Sequence, residues 1–551
     1  MNKIKIMSIV LVMIVGLVGC TMENENEEVL ENKPSAITSK TINLTMMKPD
    51  SINPITNNNK TVGYILNLIY DGLFTINENY DVVPQLVEDY SISNDGMSVN
   101  IKLKDIKWHD GSDLTSNDVK FTIDLIKKNT SSPYIALVDN ISSVSATSNK
   151  ELSINFKDKY AFSVDALTFP IVSEKQLDNK GDINSNQYNL IGNGAYKIKN
   201  YDQRKSMSLI INDSYYDKLP STAKNIEVEI VPDQEAQVSM VISLDSDIAN
   251  ISLDDLSKFY EKEFKTTTYE SRDYECLLFN YDNEFFRDIN FRKAITSAID
   301  KSKILEEGYI NDASLINFPL NSKSKYYDKD LKVLDYSKDN AKKYLSQVTL
   351  ETEQNNKEEE NKDAKDTSKQ ENKDTKISEA DKEKNEKEEK EKEIKKKIAN
   401  LNLKIIVNKE NAERIKSAYI ISDNLKEIGI KNTIVELSSA EMTKAMDSKE
   451  YDLALAGWEL SSIPDATNIL SNIGYEDEKL TNYIASLKAS TTESQISDVY
   501  KSIQKYVNEN ALFMSLVIRD DYIVSNRRIE GDTKPNSFDI YEGITNLNIT
   551  K

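Results

Sequence analysis

The sequence predicts mixed α/β domains. The chain has 551 residues, of which 39% are hydrophobic, so it is long enough to form more than one buried core. From Thr41 onward, short β-rich runs alternate with amphipathic helical patterns. This alternation is typical of α/β architectures. We therefore expect two or three domains.

Local patterns in the first part of the chain predict its first strands and helices. They are a strand over Thr41–Met47, a helix over Tyr64–Phe74, and strands over Asp89–Ser93 and Ser98–Lys104 joined by a turn at Asp95-Gly96. Thr115 is the predicted N-cap of a second helix, and Asp118 lies in its first turn.

Further along, the patterns predict another α/β unit. Asp288 caps a helix predicted to run to Gly308, and a helix over Asn411–Ile428 is ended by Gly429. The unit continues with a strand over Thr433–Leu437, a capping box at Ser438 and Glu441, and a strand over Tyr451–Trp458.

The amino terminus predicts export. Lys3 and Lys5 precede an apolar run, Ile6–Val18, whose length suits a signal peptide and is short for a membrane span. The run ends in Leu17-Val18-Gly19-Cys20, which resembles a bacterial lipobox. We expect residues 1–19 to be the signal peptide, Cys20 to be acylated and residues 20–40 to form a tether. The alternative is a signal peptide with a chance cysteine.

Composition excludes several function classes. A formal net charge of −21 argues against a nucleic-acid partner, which would need Lys and Arg to neutralise its phosphates. The one other cysteine, Cys276, has no partner for an internal disulfide, and we expect it to be buried. His109 is the only histidine, so we expect no zinc site, and the chain has no G-x-S-x-G motif. We therefore expect neither an enzyme nor a cofactor.

One segment has a composition unlike the rest. Residues 351–397 consist almost entirely of Lys, Glu, Asp and Asn. Such a tract cannot bury enough apolar surface to form a core, so we expect a solvated insertion. Its second half, Glu379–Lys397, carries Glu and Lys at helical spacing and is predicted as an exposed helix. A surface loop without function is the alternative.

Six short motifs follow one another along the chain. They are Ile69-Tyr70-Asp71-Gly72-Leu73, Val83-Pro84-Gln85-Leu86, Lys107-Trp108-His109-Asp110-Gly111, Gly192-Asn193-Gly194-Ala195-Tyr196, Phe286-Arg287-Asp288, and Gly457-Trp458. In this order they resemble the family 5 extracellular solute-binding proteins of oligopeptide and dipeptide ABC importers.

The resemblance implies a two-lobed periplasmic-binding-protein-like clamp with an extra subdomain inserted in the first lobe. Lobe I would comprise residues 41–72, 191–276 and 514–551, with the subdomain at 73–190. Lobe II would comprise residues 277–513 and contain the charged insertion. The implied function is capture of a peptide or peptide-like solute between the lobes by a lipid-anchored monomer on the outer face of the membrane, followed by delivery to an ABC permease. A surface sensor of signalling peptides with the same fold is the alternative.

The resemblance also implies a ligand site. Its expected residues are Met47, Asn280, Gly457, Trp458, Glu459, Ser461 and Asp465. In peptide-binding members, the backbone around the Gly-Trp pair hydrogen-bonds the ligand as an added strand.

Two positions depart from the family pattern. Many peptide binders have an Asp three residues after this Trp, where it pairs with the ligand's α-ammonium, but this chain has Ser461. Leu516-Val517-Ile518 stands where well-known members have tyrosines. We therefore expect one of two arrangements: Glu459, or as a second choice Asp465, holds the α-ammonium, or the solute has no free α-amino group.

Overall fold

We describe a computed structural model of the chain over residues 40–177, 191–220, 222–259, 263–350 and 379–550. The expected signal peptide, the lipobox with Cys20, residues 20–39 of the tether and residues 351–378 of the insertion lie outside the described residues. Among the residues described, no helix combines the length and the apolar character needed to cross a membrane.

The strands of the described residues are short, apart from two long ones that cross the molecule. They are β1 (Thr41–Met47), β2 (Phe74–Ile76), β3 (Val82–Pro84), β4 (Val87–Ile92), β5 (Ser98–Leu103), β6 (Ile141–Ala146), β7 (Glu151–Phe156), β8 (Tyr196–Asp202), β9 (Ser206–Ile211), β10 (Asn225–Val231), β11 (Ile248–Ile251), β12 (Phe264–Phe279), β13 (Ala313–Leu315), β14 (Asn402–Asn408), β15 (Lys431–Leu437), β16 (Leu453–Glu459), β17 (Met514–Asn526), β18 (Ile529–Glu530) and β19 (Asn548–Ile549).

The helices lie mainly between the strands of the second half of the chain. They are α1 (Lys60–Leu66), α2 (Ser116–Lys128), α3 (Ile135–Val138), α4 (Glu174–Leu177), α5 (Gln234–Ile242), α6 (Leu253–Leu256), α7 (Glu284–Arg287), α8 (Ile289–Ala298), α9 (Lys301–Lys303), α10 (Lys338–Leu345), α11 (Glu379–Asn400), α12 (Ala412–Glu427), α13 (Ser439–Asp447), α14 (Thr467–Asn472), α15 (Glu478–Ala489) and α16 (Glu493–Glu509).

Three sheets organise these elements. A four-stranded sheet has the order β1-β10-β9-β8, and a second one has the order β4-β5-β7-β6. The third is a seven-stranded sheet with the order β11-β17-β12-β16-β14-β15, to which β13 adds beside β17. The mixture of parallel and antiparallel strands with flanking helices is an α/β architecture, as the sequence predicts.

The two long strands, β12 and β17, pair with each other in antiparallel register from Phe264 opposite Asn526 to Leu277 opposite Met514. The register is interrupted between Glu270 and Tyr274. On one side of this interruption β11 joins β17, and on the other β16 joins β12. The β12–β17 pair is therefore the middle of the seven-stranded sheet, with β11 beside β17 and β16 beside β12.

Most predicted elements are confirmed. They include strand β1, the hairpin of β4 and β5, the Thr115 N-cap of α2 with Asp118 in its first turn, the Asp288 cap of α8, the Asn411 cap of α12 and the Ser438–Glu441 capping box of α13. Gly429, at the end of α12, has a φ of 90°, the left-handed conformation that suits glycine.

The predicted helix over Tyr64–Phe74 is wrong. Helix α1 covers Lys60–Leu66, because the side chain of Asn59 accepts hydrogen bonds from the backbone N–H groups of Thr61 and Val62 and starts the helix a turn earlier. Residues 68–73 are buried without being helical. Their backbone is packed against other backbone: a Cβ on Gly192 would lie 1.9 Å from the carbonyl oxygen of Ile69.

The helix predicted from Asp288 to Gly308 is also too long. Helix α8 ends at Ala298, because Ile299 adopts an extended conformation and Asp300 then caps the short helix α9. A single π-helical turn, Ile304–Gly308, completes the segment. Apolar residues keep a helical spacing on both sides of this break, so the sequence pattern did not reveal it.

The carboxyl-terminal end of the charged insertion packs against the core of the protein. Helix α11 confirms the predicted helix, but Ile394 and Ile398 pack against the core cluster formed with α8 and α12. The two isoleucines are four residues apart and therefore share one helix face. The expectation that the whole tract is solvated is wrong for this part of it.

Asp247 is a buried junction of three chain segments. Its side chain is fully buried and accepts hydrogen bonds from the backbone N–H of Asn43, from Asn526 Nδ2, and from Arg528 Nε and Nη2 at 2.5 and 2.6 Å. It thereby joins β1, the start of β11 and the end of β17.

We predict that Asp247→Ala lowers the free energy of unfolding by about 3–5 kcal/mol, because it leaves buried donors and the Arg528 cation without their acceptor. Urea denaturation measures this change. The control is Glu263→Ala, which removes an exposed ion pair with Arg527 and should cost less than about 1 kcal/mol. Equal losses in the two variants would contradict the assigned role of Asp247.

Candidate functional site

Two adjoining cavities lie where β16 ends against the β12 strand and α1. Their volumes are ≈ 540 and ≈ 120 Å³. Four residues line both of them: Arg272, Glu459, Ser461 and Ser462. We call the two cavities together the cleft. It is formed by segments far apart in the chain, including residues 57–76, 458–465 and 537–539.

Strand β16 enters the cleft with one free side. Its whole length pairs with β12, from Leu453 opposite Phe279 to Glu459 opposite Asp273. On its other side it pairs with β14 only at Leu453 and Ala454. From Leu455 to Glu459 that side has no strand partner among the described residues, so an extended chain could add to it.

Gly457 is needed for packing behind this strand. A Cβ at this position would lie 2.2 Å from Arg414 Nη2 and 2.8 Å from the carbonyl oxygen of Tyr274. Arg414 forms a bidentate ion pair with Glu275, whose side chain is 4% exposed, with Nε–Oε2 and Nη2–Oε1 distances of 2.5 and 3.0 Å. Burial raises the pKa of Glu275, and the bonds from Arg414 oppose this shift.

Glu459 lies between two cations. Its Oε1 is 2.5 Å from Arg272 Nη2 and 3.1 Å from Lys60 Nζ. Arg272 also donates from Nη1 to the carbonyl oxygen of Leu460 and stacks on the ring of Phe538 at 4.4 Å. Partial burial would raise the pKa of Glu459, but the two cations outweigh it and hold that pKa below its usual value.

The other expected residues after Gly457 also lie in the cleft. Trp458 lines the smaller cavity and packs against the neighbouring core cluster, and Ser461 is exposed in both cavities. Asp465 lines the smaller cavity, where it accepts hydrogen bonds from Tyr160 Oη at 3.1 Å and the backbone N–H of Thr467 at 2.9 Å.

Three expected ligand residues line neither cavity, and the first of them is Gly457, which packs against Arg414 and Glu275. Met47 ends β1 and its backbone N–H donates to Thr61, but it does not line either cavity. Asn280 follows β12 at the end opposite Arg272, and its side-chain amide donates to the carbonyl oxygens of Lys449 and Tyr451. The structure therefore gives Asn280 a role in holding a loop.

Sequence reasoning missed Lys60, Arg272 and the residues around Phe538. No motif or spacing links them, because they come from three distant parts of the chain and meet only in the folded protein. The one available signal was the isolated Arg272 in a β-rich segment that contains several carboxylates.

An aromatic contact joins the loop after β7 to the region of α16. Phe162 is 1% exposed and its ring centroid lies 5.7–6.3 Å from those of Tyr160, Tyr326 and Tyr500. Beside it, Tyr160 makes its hydrogen bond to Asp465. The smaller cavity is therefore bordered by a direct contact between the subdomain containing β7 and the part of the molecule that contains β16.

A comparison with protein families identifies the family of the chain. Residues 81–480 match the model of the bacterial extracellular solute-binding proteins, family 5. The chain belongs to this family. Its members are called family 5 proteins below.

Family 5 proteins of known identity match much of the chain. The oligopeptide-binding protein AppA of Bacillus subtilis is 24% identical over 501 residues, which are 87% of this chain and 86% of AppA. The peptide transport periplasmic protein SapA of Haemophilus influenzae is 24% identical over 317 residues, covering 48% of this chain and 56% of SapA.

Solved structures share the fold. The ABC transporter substrate-binding protein CtaP of Listeria monocytogenes superposes with a TM-score of 0.72 at 19% identity, covering 93% of this chain and 100% of CtaP. AppA of Bacillus subtilis in complex with a nonapeptide superposes with a TM-score of 0.58 at 21% identity, covering 93% and 100%. The protein therefore has the two-lobed α/β family 5 fold, with the extra subdomain inserted in its first lobe.

A group of carboxyl groups surrounds the interruption of the β12–β17 ladder. Burial raises the pKa of Asp312 to about 7 and that of Asp520 to about 6, and each is raised further by a neighbouring carboxylate. Burial also raises the pKa values of Glu270 and Asp521. Lys323 opposes the shifts at Glu270 and Asp520.

These four carboxyl groups contribute stability that grows as the pH falls from about 8 to about 5, whereas His109, whose pKa is lowered to about 4, works in the opposite direction below pH 6.5. A carboxyl group whose pKa is raised in the folded state costs stability when it ionises, and this cost disappears as the pH falls through the folded value. Asp520→Asn should raise the free energy of unfolding at pH 8 by about 1 kcal/mol after allowance for the partial exposure of Asp520, which is about 1 °C in melting temperature for a chain of this length.

At pH 5 the same substitution should keep about half of this effect, because Asp520 is then largely protonated in the folded protein but still ionised in the unfolded chain. The control is Asp105→Asn, since the Asp105 side chain is fully exposed and its removal should change neither value. A larger gain at pH 5 than at pH 8 would show that Asp520 acts through its shape and not through its charge.

Proposed function

We propose that this family 5 protein is a lipid-anchored receptor of an ABC importer, which captures a peptide or peptide-like solute in the cleft and delivers it to a membrane permease. The observation that carries the proposal is the free side of β16 from Leu455 to Glu459, which runs directly into the cleft. A peptide backbone added there would gain hydrogen bonds that do not depend on its side chains. The similarity to the oligopeptide-binding AppA supports the same ligand class.

The proposed lobes follow the division expected from the sequence. Lobe I comprises residues 41–72, 191–276 and 514–551, with the subdomain 73–190 inserted, and lobe II comprises residues 277–513. In this division the cleft lies between the lobes, because Lys60 belongs to lobe I and Glu459 to lobe II. A solute that touches both lobes only when they are closed shifts the equilibrium towards the closed form, and this form is what the permease recognises.

His109 and Cys276, the histidine and the cysteine among the described residues, both have structural roles. His109 Nε2 bonds to the carbonyl oxygen of Gly194 and Nδ1 accepts from the backbone N–H of Gly192, while burial lowers the pKa of His109 to about 4. Cys276 is buried and burial raises the pKa of its thiol. In the described part of the chain, no three His, Cys, Asp or Glu side chains meet as a possible metal site. A binding role without catalysis fits this chemistry, and we propose a monomer without a nucleic-acid partner.

We predict that peptides bind in the cleft beside Trp458. The chain has two tryptophans, and Trp108 is 3% exposed and remote from both cavities. A bound peptide should therefore change the emission of Trp458 and raise the melting temperature.

The matched variants are Trp108→Phe, which should keep the emission change, and Trp458→Phe, which should lose it while its melting temperature still rises with peptide. Native mass spectrometry of the full chain, purified in mild detergent, identifies the retained solute. If a diverse peptide mixture neither binds nor raises the melting temperature, the protein is not a peptide receptor.

We predict that Cys20 carries the lipid. Cys20→Ala should move the full chain from the membrane fraction to the soluble fraction or block its processing, and it should abolish incorporation of labelled fatty acid. Cys276→Ala is the matched control, since this buried thiol should leave membrane attachment unchanged. Continued labelling of the Cys20→Ala protein would contradict the prediction.

A further inference from the structure

The cations of the cleft are already paired with a carboxylate. Among the described residues that line the two cavities, Lys60 and Arg272 are the cations. Both contact the same oxygen of Glu459, at 3.1 and 2.5 Å. Around this oxygen two positive charges face one negative charge, so Glu459 is a poor site for a further cation.

The other carboxyl groups of the cleft are also engaged. Asp465 accepts one hydrogen bond on each of its oxygens, from Tyr160 Oη and from the backbone N–H of Thr467. Asp539 accepts from the backbone N–H of Tyr541 at 2.8 Å, and burial raises its pKa to about 6. Both carboxyl groups therefore already accept hydrogen bonds from within the protein.

The neutral polar groups of the larger cavity, in contrast, have unused capacity. Five carboxamide side chains line it: Asn57, Asn58, Asn59, Asn67 and Gln85. Asn57 uses both of its polar atoms, and each of the other four makes hydrogen bonds with only one of its two. The second atoms, which are Asn58 Oδ1, Asn59 Nδ2, Asn67 Oδ1 and Gln85 Nε2, have no hydrogen bond to any other described residue. Both donors and acceptors remain for a ligand.

This contrast between paired charges and unpaired amides indicates the chemistry of the solute. We propose that the end of the solute that lies beside Glu459 carries no free ammonium, and that the receptor takes N-acylated or otherwise uncharged peptide-like solutes with amide or hydroxyl groups. This inference rests on the proposed function and names its ligand class.

Arg272 is the residue that determines this specificity. It comes from β12, and its guanidinium is held by Glu459, by the carbonyl oxygen of Leu460 and by the face of Phe538. A ligand ammonium beside Glu459 would have to displace this guanidinium or lie next to it. A charge-assisted hydrogen bond is worth roughly ten- to a hundredfold in affinity, and the receptor makes this bond internally.

The test compares two synthetic libraries of the same tetrapeptide sequences, one with free and one with acetylated N-termini. The full chain is equilibrated with both libraries, and the retained peptides are counted by mass spectrometry. We expect the acetylated peptides to be retained at least tenfold better than their free counterparts. The same preference is expected for Lys265→Gln, which removes an exposed cation outside both cavities.

Arg272→Gln and Lys60→Gln should reduce the preference at least threefold, because each exposes the Glu459 carboxylate to a ligand ammonium. If Arg272→Gln does not fold, Lys60→Gln decides, since the Lys60 side chain is 66% exposed. Equal or better retention of free peptides by the parent protein overturns the inference and leaves peptide capture intact. An unchanged preference in the folded variants overturns the role of the two cations. If no peptide of either library is retained, the proposed function fails, and the inference fails with it.

Discussion

The antiparallel ladder between β12 and β17 is the constraint on which the rest of the structure depends. These strands hold β11 on one side and β16 on the other, so the seven-stranded sheet exists only because they pair. Their ladder is interrupted between Glu270 and Tyr274, where backbone hydrogen bonds are missing and bending costs least. Asp247 fixes the far end of β17 to β1, so the first lobe is anchored to the same two strands.

The interruption of the ladder also lies beside the cleft. Arg272 lies inside the interruption and reaches Glu459, at the end of β16, and the carbonyl oxygen of Leu460. The Arg414–Glu275 pair packs closely against Gly457 of β16. Under the proposed division into lobes, a change in the angle between them changes the surroundings of Glu459.

Local signals in the sequence were sufficient for much of the fold and for part of the site. Caps such as Thr115, Asp288 and Ser438 act within one helical turn, so their positions could be predicted from spacing alone. The helix over Tyr64–Phe74 failed because tertiary packing against Gly192, more than a hundred residues away, buries Leu68 and Ile69 in a turn that ends the helix. The Trp458 segment was found by its motif. The two cations that pair with Glu459 were not predicted. Lys60 and Arg272 are distant in sequence, and no local pattern links the start of α1 to the middle of β12.

The burial of Phe162 between Tyr326 and Tyr500 has a consequence for the kinetics of capture. This contact is made by the protein itself, so it stabilises the described arrangement without any solute. In the proposed receptor, the contact has to break before a solute can enter and forms again around the bound solute. It therefore acts on the rate of capture more than on the affinity. At high solute concentration the association rate then stops rising and becomes equal to the rate at which Phe162 leaves its aromatic pocket.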